Sequence, residues 1–206
     1  MEIFDNKISS IIRVDHAGEY GAKVIYAGQI AALKLQGALK KKDSKKDSKA
    51  LALIEHMKLQ EDEHFDYFDQ EIIRQKIRPT LMQPIWKVAG FGLGFLSAML
   101  DKRAAMACTV AVEEVIDEHY QKQISELESI KSELKVEGSD SDKIQNQERL
   151  KKTDLLLAKI NKFRDQELEH RDIGYDNNAT DIAYYQPLTT AIKCFSKLAI
   201  FISTKI

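Results

Sequence analysis

Glu61-Asp62-Glu63-His64-Phe65-Asp66 and Glu167-Leu168-Glu169-His170-Arg171-Asp172 are two copies of one pattern, identical at four of six aligned positions. Each contains a Glu-x-x-His, and residues three apart on a helix stand one above the other on the same face, so carboxylate and imidazole can grip one ion. The repetition extends upstream. Setting Glu19 beside Glu113 brings Tyr26 beside Tyr120, Gln29 beside Gln123 and Ile30 beside Ile124. The chain divides into two related halves, each with a lone Glu on its first helix and a Glu-x-x-His on its second.

A single Glu-x-x-His is more often a chance pairing on a solvated helix face. Two copies, each preceded by a lone Glu, reverse those odds. One inward Glu from each of two helices plus a Glu-x-x-His from each of the other two is the ligand set of di-iron and di-manganese carboxylate bundles. Glu19, Glu61, His64, Glu113, Glu167 and His170 supply that set in full. The expected fold class is all-α, a ferritin-like four-helix bundle: one domain over residues 1–206, built from repeats at about 9–100 and 104–206. Four carboxylates buried together cost roughly several kcal/mol each unless compensated, and two divalent cations would cancel them. Oxygen and nitrogen donors suit iron or manganese. Cys108 and Cys194 lack a CxxC spacing, which removes iron-sulfur and structural zinc sites from contention.

Composition agrees with helices, since only 9 Gly and 3 Pro occur among 206 residues. The net charge of −1, from 31 basic and 32 acidic residues, gives no global field to recruit nucleic acid. Apolar periodicity predicts helices over about Ser9 to Leu39, Ala50 to Lys76, Ala104 to Leu134 and Gln147 to Ile173. Lys40 to Lys49 and Val136 to Lys143 are polar, low in complexity and predicted to be connectors, and Pro79 and Pro84 are expected to end the second helix.

An apolar segment follows each half, Ile85 to Leu100 and Leu188 to Ile206. The longest uncharged apolar run, Val88 to Leu100, falls well short of the roughly 20 residues needed to span a bilayer. The second segment spaces Leu188, Ile192, Phe195, Leu198 and Ile202 helically and carries Lys193, Lys197 and Lys205 but no acid, the pattern of an interfacial helix whose cations meet anionic headgroups. In the first, Trp86 and Lys87 stand where an interfacial anchor would sit. The amino terminus carries no signal-like run, so a cytoplasmic protein docked on a membrane surface is expected.

Other residues are candidates for roles at the site. Tyr26 and Tyr120 lie two turns beyond their lone Glu on the same stripe, with an ordinary core tyrosine the account of at least one of them. His119 is a candidate relay of protons or electrons. Asp15, Asp66 and Asp172 are candidate acceptors that orient ligands. Asp62, Glu63, Glu114, Glu118 and Glu169 fall off or beside the ligand face, and the repeat selects Glu113 over Glu114. Gly90-x-Gly92-x-Gly94 has the wrong spacing for a dinucleotide loop and points to close packing or bending of an apolar helix.

Ile11-Ile12-Arg13-Val14-Asp15-His16-Ala17-Gly18-Glu19-Tyr20-Gly21-Ala22 resembles the opening signature of the demethoxyubiquinone hydroxylase family. Arg78-Pro79-Thr80 with the Pro84 to Gly94 run, Ala107 to Glu114, and Phe163-Arg164-Asp165 leading into Glu167 to His170 agree with it. The resemblance implies a membrane-associated di-iron monooxygenase of ubiquinone biosynthesis, adding a ring hydroxyl to a prenylated demethoxyubiquinol with dioxygen and a reductant. It also implies two iron ions per chain on the six ligands, with Glu61 and Glu167 able to bridge both; Tyr120 and His119 stand beside Glu61 and Glu167 as candidate catalytic residues by their position alone. The implied partners are the quinol, the cytoplasmic face of a cell membrane and other ubiquinone-biosynthesis proteins. The rival function for the same ligand set is a ferritin-like iron storage or oxidation protein, which has no use for apolar docking segments.

Overall fold

The computed structural model describes residues 2–40, 45–136 and 143–205, and among these every regular element is a helix. Four long ones, α1 (Glu2–Lys40), α2 (Lys45–Gln75), α4 (Lys102–Val136) and α5 (Lys143–Asp176), make a ferritin-like bundle; α3 (Gln83–Leu100) and α6 (Tyr185–Ser203) pack outside it, on α1 and α4. The helices are longer than periodicity predicted. Helix α2 already runs through Lys45–Lys49, and α5 begins at Lys143, so only 41–44 and 137–142 of the predicted connectors remain, outside the described residues. Lysine is a good helix former, so no apolar stripe is needed for the chain to be helical there.

Pro84 opens α3 at its first turn rather than ending α2, the position where a missing N–H costs nothing. The end of α2 is instead Lys76, in the left-handed region at φ 54°, with Ile77 N–H reaching back to Ile72 O at 2.9 Å. Asn178 closes α5 in the same way at φ 64°.

Helix α3 lies very close to α1 because glycines meet there. A Cβ on Gly94 would stand 1.9 Å from Ile25 O, and one on Gly28 would stand 2.2 Å from Phe91 O. Gly90 also faces α1, whereas Gly92 points to open space. Close packing thus explains two of the three glycines in that run.

Among the described residues the two larger of three apolar clusters fill the bundle. One gathers Ile8, Ile12, Phe68, Leu127, Ile160 and Phe163; the other gathers Leu33, Ile54, Met57, Met106 and Val110. Between them lies a layer of buried polar side chains, which burial disfavours unless they are hydrogen-bonded or their charge is compensated.

Candidate metal centre

Glu19, Glu61, His64, Glu113, Glu167 and His170 are all 2 % exposed or less. Their donor atoms fall into two groups, each within 4.8 Å of one another: Glu19, Glu61, His64 and Glu167, and Glu61, Glu113, Glu167 and His170. Glu61 and Glu167 belong to both groups, so these two carboxylates can face two ions at once. The buried groups have the geometry to hold a metal ion, and their unmatched atoms agree. Glu19 Oε2, both oxygens of Glu61, Glu113 Oε2, Glu167 Oε2 and His170 Nδ1 are buried without a hydrogen-bond partner in the protein.

Both imidazoles turn Nδ1 inward. His64 Nδ1 lies 3.0 Å from Glu167 and 3.4 Å from Glu19, and His170 Nδ1 lies 3.2 Å from both Glu61 and Glu167. Their outer nitrogens meet glutamines: His64 Nε2–H donates to Gln166 Oε1 at 3.0 Å and His170 Nε2–H to Gln60 Oε1 at 2.6 Å. Asp66 and Asp172, expected as such acceptors, are exposed instead, and Asp172 bonds Arg171 on the surface. Gln60 and Gln166 escaped the sequence comparison because the aligned blocks began one residue too late. Gln-Glu-x-Glu-His stands in both halves.

Two tyrosines border the site. Tyr120 O–H donates to Glu19 and Tyr26 O–H to Glu113, the latter at 2.6 Å. The supposition that at least one is an ordinary core residue is therefore corrected. Each phenol reaches the lone Glu of the other half because α1 and α4 run antiparallel. Asp15 is also buried, but it accepts from Gln123 at 2.7 Å and lies 3.4 Å from His119, so it does not orient a ligand histidine. His119, partly exposed, meets Asp15 and Gln123 rather than one of the six.

The charges are strained in the metal-free chain. Burial, reinforced by the Glu167 carboxylate, pushes Glu61 and Glu113 well above the usual carboxyl range. Burial would raise Glu167 too, but His170 and His64 hold it well below. Burial disfavours charge on His64, yet the Glu167 and Glu19 carboxylates beside it win and raise it to about 12. Protons thus carry the compensating charge that divalent cations could supply in their place. The neighbouring acids are engaged elsewhere: Asp62 with Lys23 and Lys58, Glu63 with Lys162, Glu114 with Lys193 and Tyr175, and Glu118 with Lys197.

An apolar crevice of about 80 Å³ opens between α1, α3, α4 and α6, lined by Ala17, Gly18, Gly21, Trp86, Val112 and Phe195 among others. Gly18 and Val112, which line it, are the chain neighbours of Glu19 and Glu113.

The model of the family "Ubiquinone biosynthesis protein COQ7" matches residues 6–203. The chain is 43 % identical to the NADPH-dependent 3-demethoxyubiquinone 3-hydroxylase, mitochondrial, of Dictyostelium discoideum, over 97 % of its own length and 77 % of the relative's. It is 39 % identical to the 3-demethoxyubiquinol 3-hydroxylase of Rhodospirillum rubrum and 39 % identical to the human NADPH-dependent 3-demethoxyubiquinone 3-hydroxylase, each over 97 % of this chain and 78 % of the relative.

Proposed function

Because the chain belongs to the family of the ubiquinone biosynthesis protein COQ7, we infer that it is an oxygen-dependent hydroxylase which adds a ring hydroxyl to a demethoxyubiquinol in ubiquinone biosynthesis. The observation that carries this is the pair of ligand groups sharing Glu61 and Glu167 in a fully buried layer. Two iron ions are the proposed occupants, held by Glu19, Glu61, His64 and Glu167 on one side and Glu61, Glu113, Glu167 and His170 on the other. Bound there, the two ions would supply one electron each toward dioxygen activation. The protein's own groups do the rest. Tyr26 and Tyr120 hold Glu113 and Glu19 in place, and the apolar clusters above and below exclude water.

The crevice is the proposed seat of the quinol ring. Its lining is apolar, Gly18 and Gly21 leave room where any side chain would fill it, and the ring would lie beside Glu19 and Glu113. No helix among the described residues is long and apolar enough to cross a membrane. The prenyl tail calls for a lipid surface nonetheless, and we place the chain peripherally on the cytoplasmic face of a cell membrane. Support comes from exposed Ile85, Val88, Leu96 and Leu100 on α3 and Leu198 and Phe201 on α6. Two expected details of that docking are corrected. Trp86 is buried, its indole N–H bonded to Ser203, and Lys193 and Lys197 are paired with Glu114 and Glu118. Other ubiquinone-biosynthesis proteins are proposed partners on the same footing as the membrane.

Anaerobic loading with Fe(II), followed by dioxygen, a reductant and a prenylated demethoxyquinol, tests the assignment. A product heavier by one oxygen is expected, and Glu167→Ala, which removes a carboxylate shared by both groups, should abolish it. Iron oxidation without organic product would favour the storage protein.

A further inference from the structure

We propose that Gln60 and Gln166 are positioning residues that couple the two ion sites, each presenting Nδ1 of the opposite Glu-x-x-His histidine to the carboxylates. The proposal rests on the metal centre described above.

An amide oxygen only accepts, so the imidazole nitrogen facing it must donate. Gln166 Oε1 therefore fixes the proton of His64 on Nε2, and Gln60 Oε1 does the same for His170 at 2.6 Å. Nδ1 is left as the atom available to an ion, on the side where Glu61, Glu167 and the lone glutamates lie. Without the acceptor, a buried Nε2–H is orphaned and the ring loses the contact that sets its rotation.

The exchange is reciprocal. Gln60 sits on α2 immediately before Glu61 and serves the histidine of α5, while Gln166 sits on α5 immediately before Glu167 and serves the histidine of α2. An ion held by Glu61 and His64 therefore also fixes the helical turn that carries Gln60, and with it the orientation of His170 at the other site. The same holds in reverse through Gln166. Loading one site prepares the other, and uptake of two ions is cooperative. Both glutamines are half-buried at the edge of the bundle rather than in its core, so their amides can be altered without opening a cavity.

Titrating the metal-free full-length chain with Co(II) under anaerobic conditions, followed by ligand-field absorption and by the exchangeable, paramagnetically shifted imidazole N–H protons, tests this. The parent should bind two ions in a steep isotherm and show two such N–H signals. Gln60→Leu should weaken the His170 site, and Gln166→Leu the His64 site, by roughly 10–100-fold. Each should flatten the isotherm and broaden one N–H signal in D2O exchange, with parent-like circular dichroism. Gln60→Glu and Gln166→Glu, which keep an acceptor oxygen, should restore two-ion uptake. Leucine variants that bind two ions with the parent's affinity and keep both protected N–H signals would overturn the proposal while leaving the metal centre intact. A parent that binds no ion pair would overturn the centre itself and the coupling with it.

Discussion

The phenol of Tyr26 donates to Glu113 across the bundle, at 2.6 Å, and not to Glu19 on its own helix. Tyr120 makes the mirror contact to Glu19. A heptad step along antiparallel α1 and α4 carries each tyrosine level with the other helix's carboxylate, so each half of the molecule holds the other half's ligand. Tyr26→Phe and Tyr120→Phe each strip the phenol donor from a buried carboxylate oxygen while keeping the ring. Loss of about 1–3 kcal/mol of stability in urea unfolding of the metal-free chain is expected for each. A loss confined to one of the two would show that the contacts are not equivalent.

Metal uptake should tighten as pH rises. Glu61 and Glu113 are pushed up by burial and by Glu167, and His64 is raised to about 12, so the folded metal-free chain holds protons that the unfolded chain releases. The stability these groups contribute is fully present below their ordinary values of 4.5 and 6.5 and is lost as pH climbs above them toward the raised ones. An ion replaces those protons, so its binding must release them. Calorimetry in buffers of different ionisation enthalpy should show proton release at pH 7 and weaker binding at pH 5.5. Uptake indifferent to pH would contradict the charge balance drawn here.

Gly21→Leu should fill the apolar crevice between α1, α3, α4 and α6. A Cβ there meets nothing within 4 Å beyond its own turn of helix, and the rest of the larger side chain would occupy the space assigned to the quinol ring. Iron content and melting temperature should stay near the parent's, with hydroxylation lowered at least about tenfold, equivalent to roughly 1.4 kcal/mol in the barrier. Unchanged turnover would move the substrate elsewhere.

The clustering of the six carboxylate and imidazole residues was legible in the sequence because a spacing of three residues on one helix, repeated in both halves, survives translation into structure unchanged. Gln60 and Gln166 were not, since a glutamine is equally at home on any helix surface and only its partner 110 or 102 residues away reveals its role. The same limit applies to Lys193 and Lys197. Periodicity showed that α6 is amphipathic, but not that α4 offers Glu114 and Glu118 opposite its lysines. Trp86 looked like an interfacial anchor because its neighbours are apolar, and only packing against Phe195 and Ser203 shows it turned inward.

Those paired lysines change what membrane binding should look like. Liposome flotation should depend on the exposed apolar side chains of α3 and α6 far more than on anionic lipid. Replacing Phe91, Leu96 and Phe195 together by Ser should release the protein from vesicles with its iron retained. Floating as well as the parent would place the docking surface elsewhere, and a steep dependence on anionic lipid would mean that the pairs with Glu114 and Glu118 open at the membrane.

The central claim, that the buried carboxylate–histidine layer places an atom of dioxygen on a quinol ring, is tested most directly by the origin of the new oxygen. Iron-loaded protein given isotopically labelled dioxygen and a prenylated demethoxyubiquinol should yield a product carrying one labelled oxygen atom on its ring. Label arriving only from solvent water, or dioxygen consumed with iron oxidised and the quinol returned unhydroxylated, would contradict it.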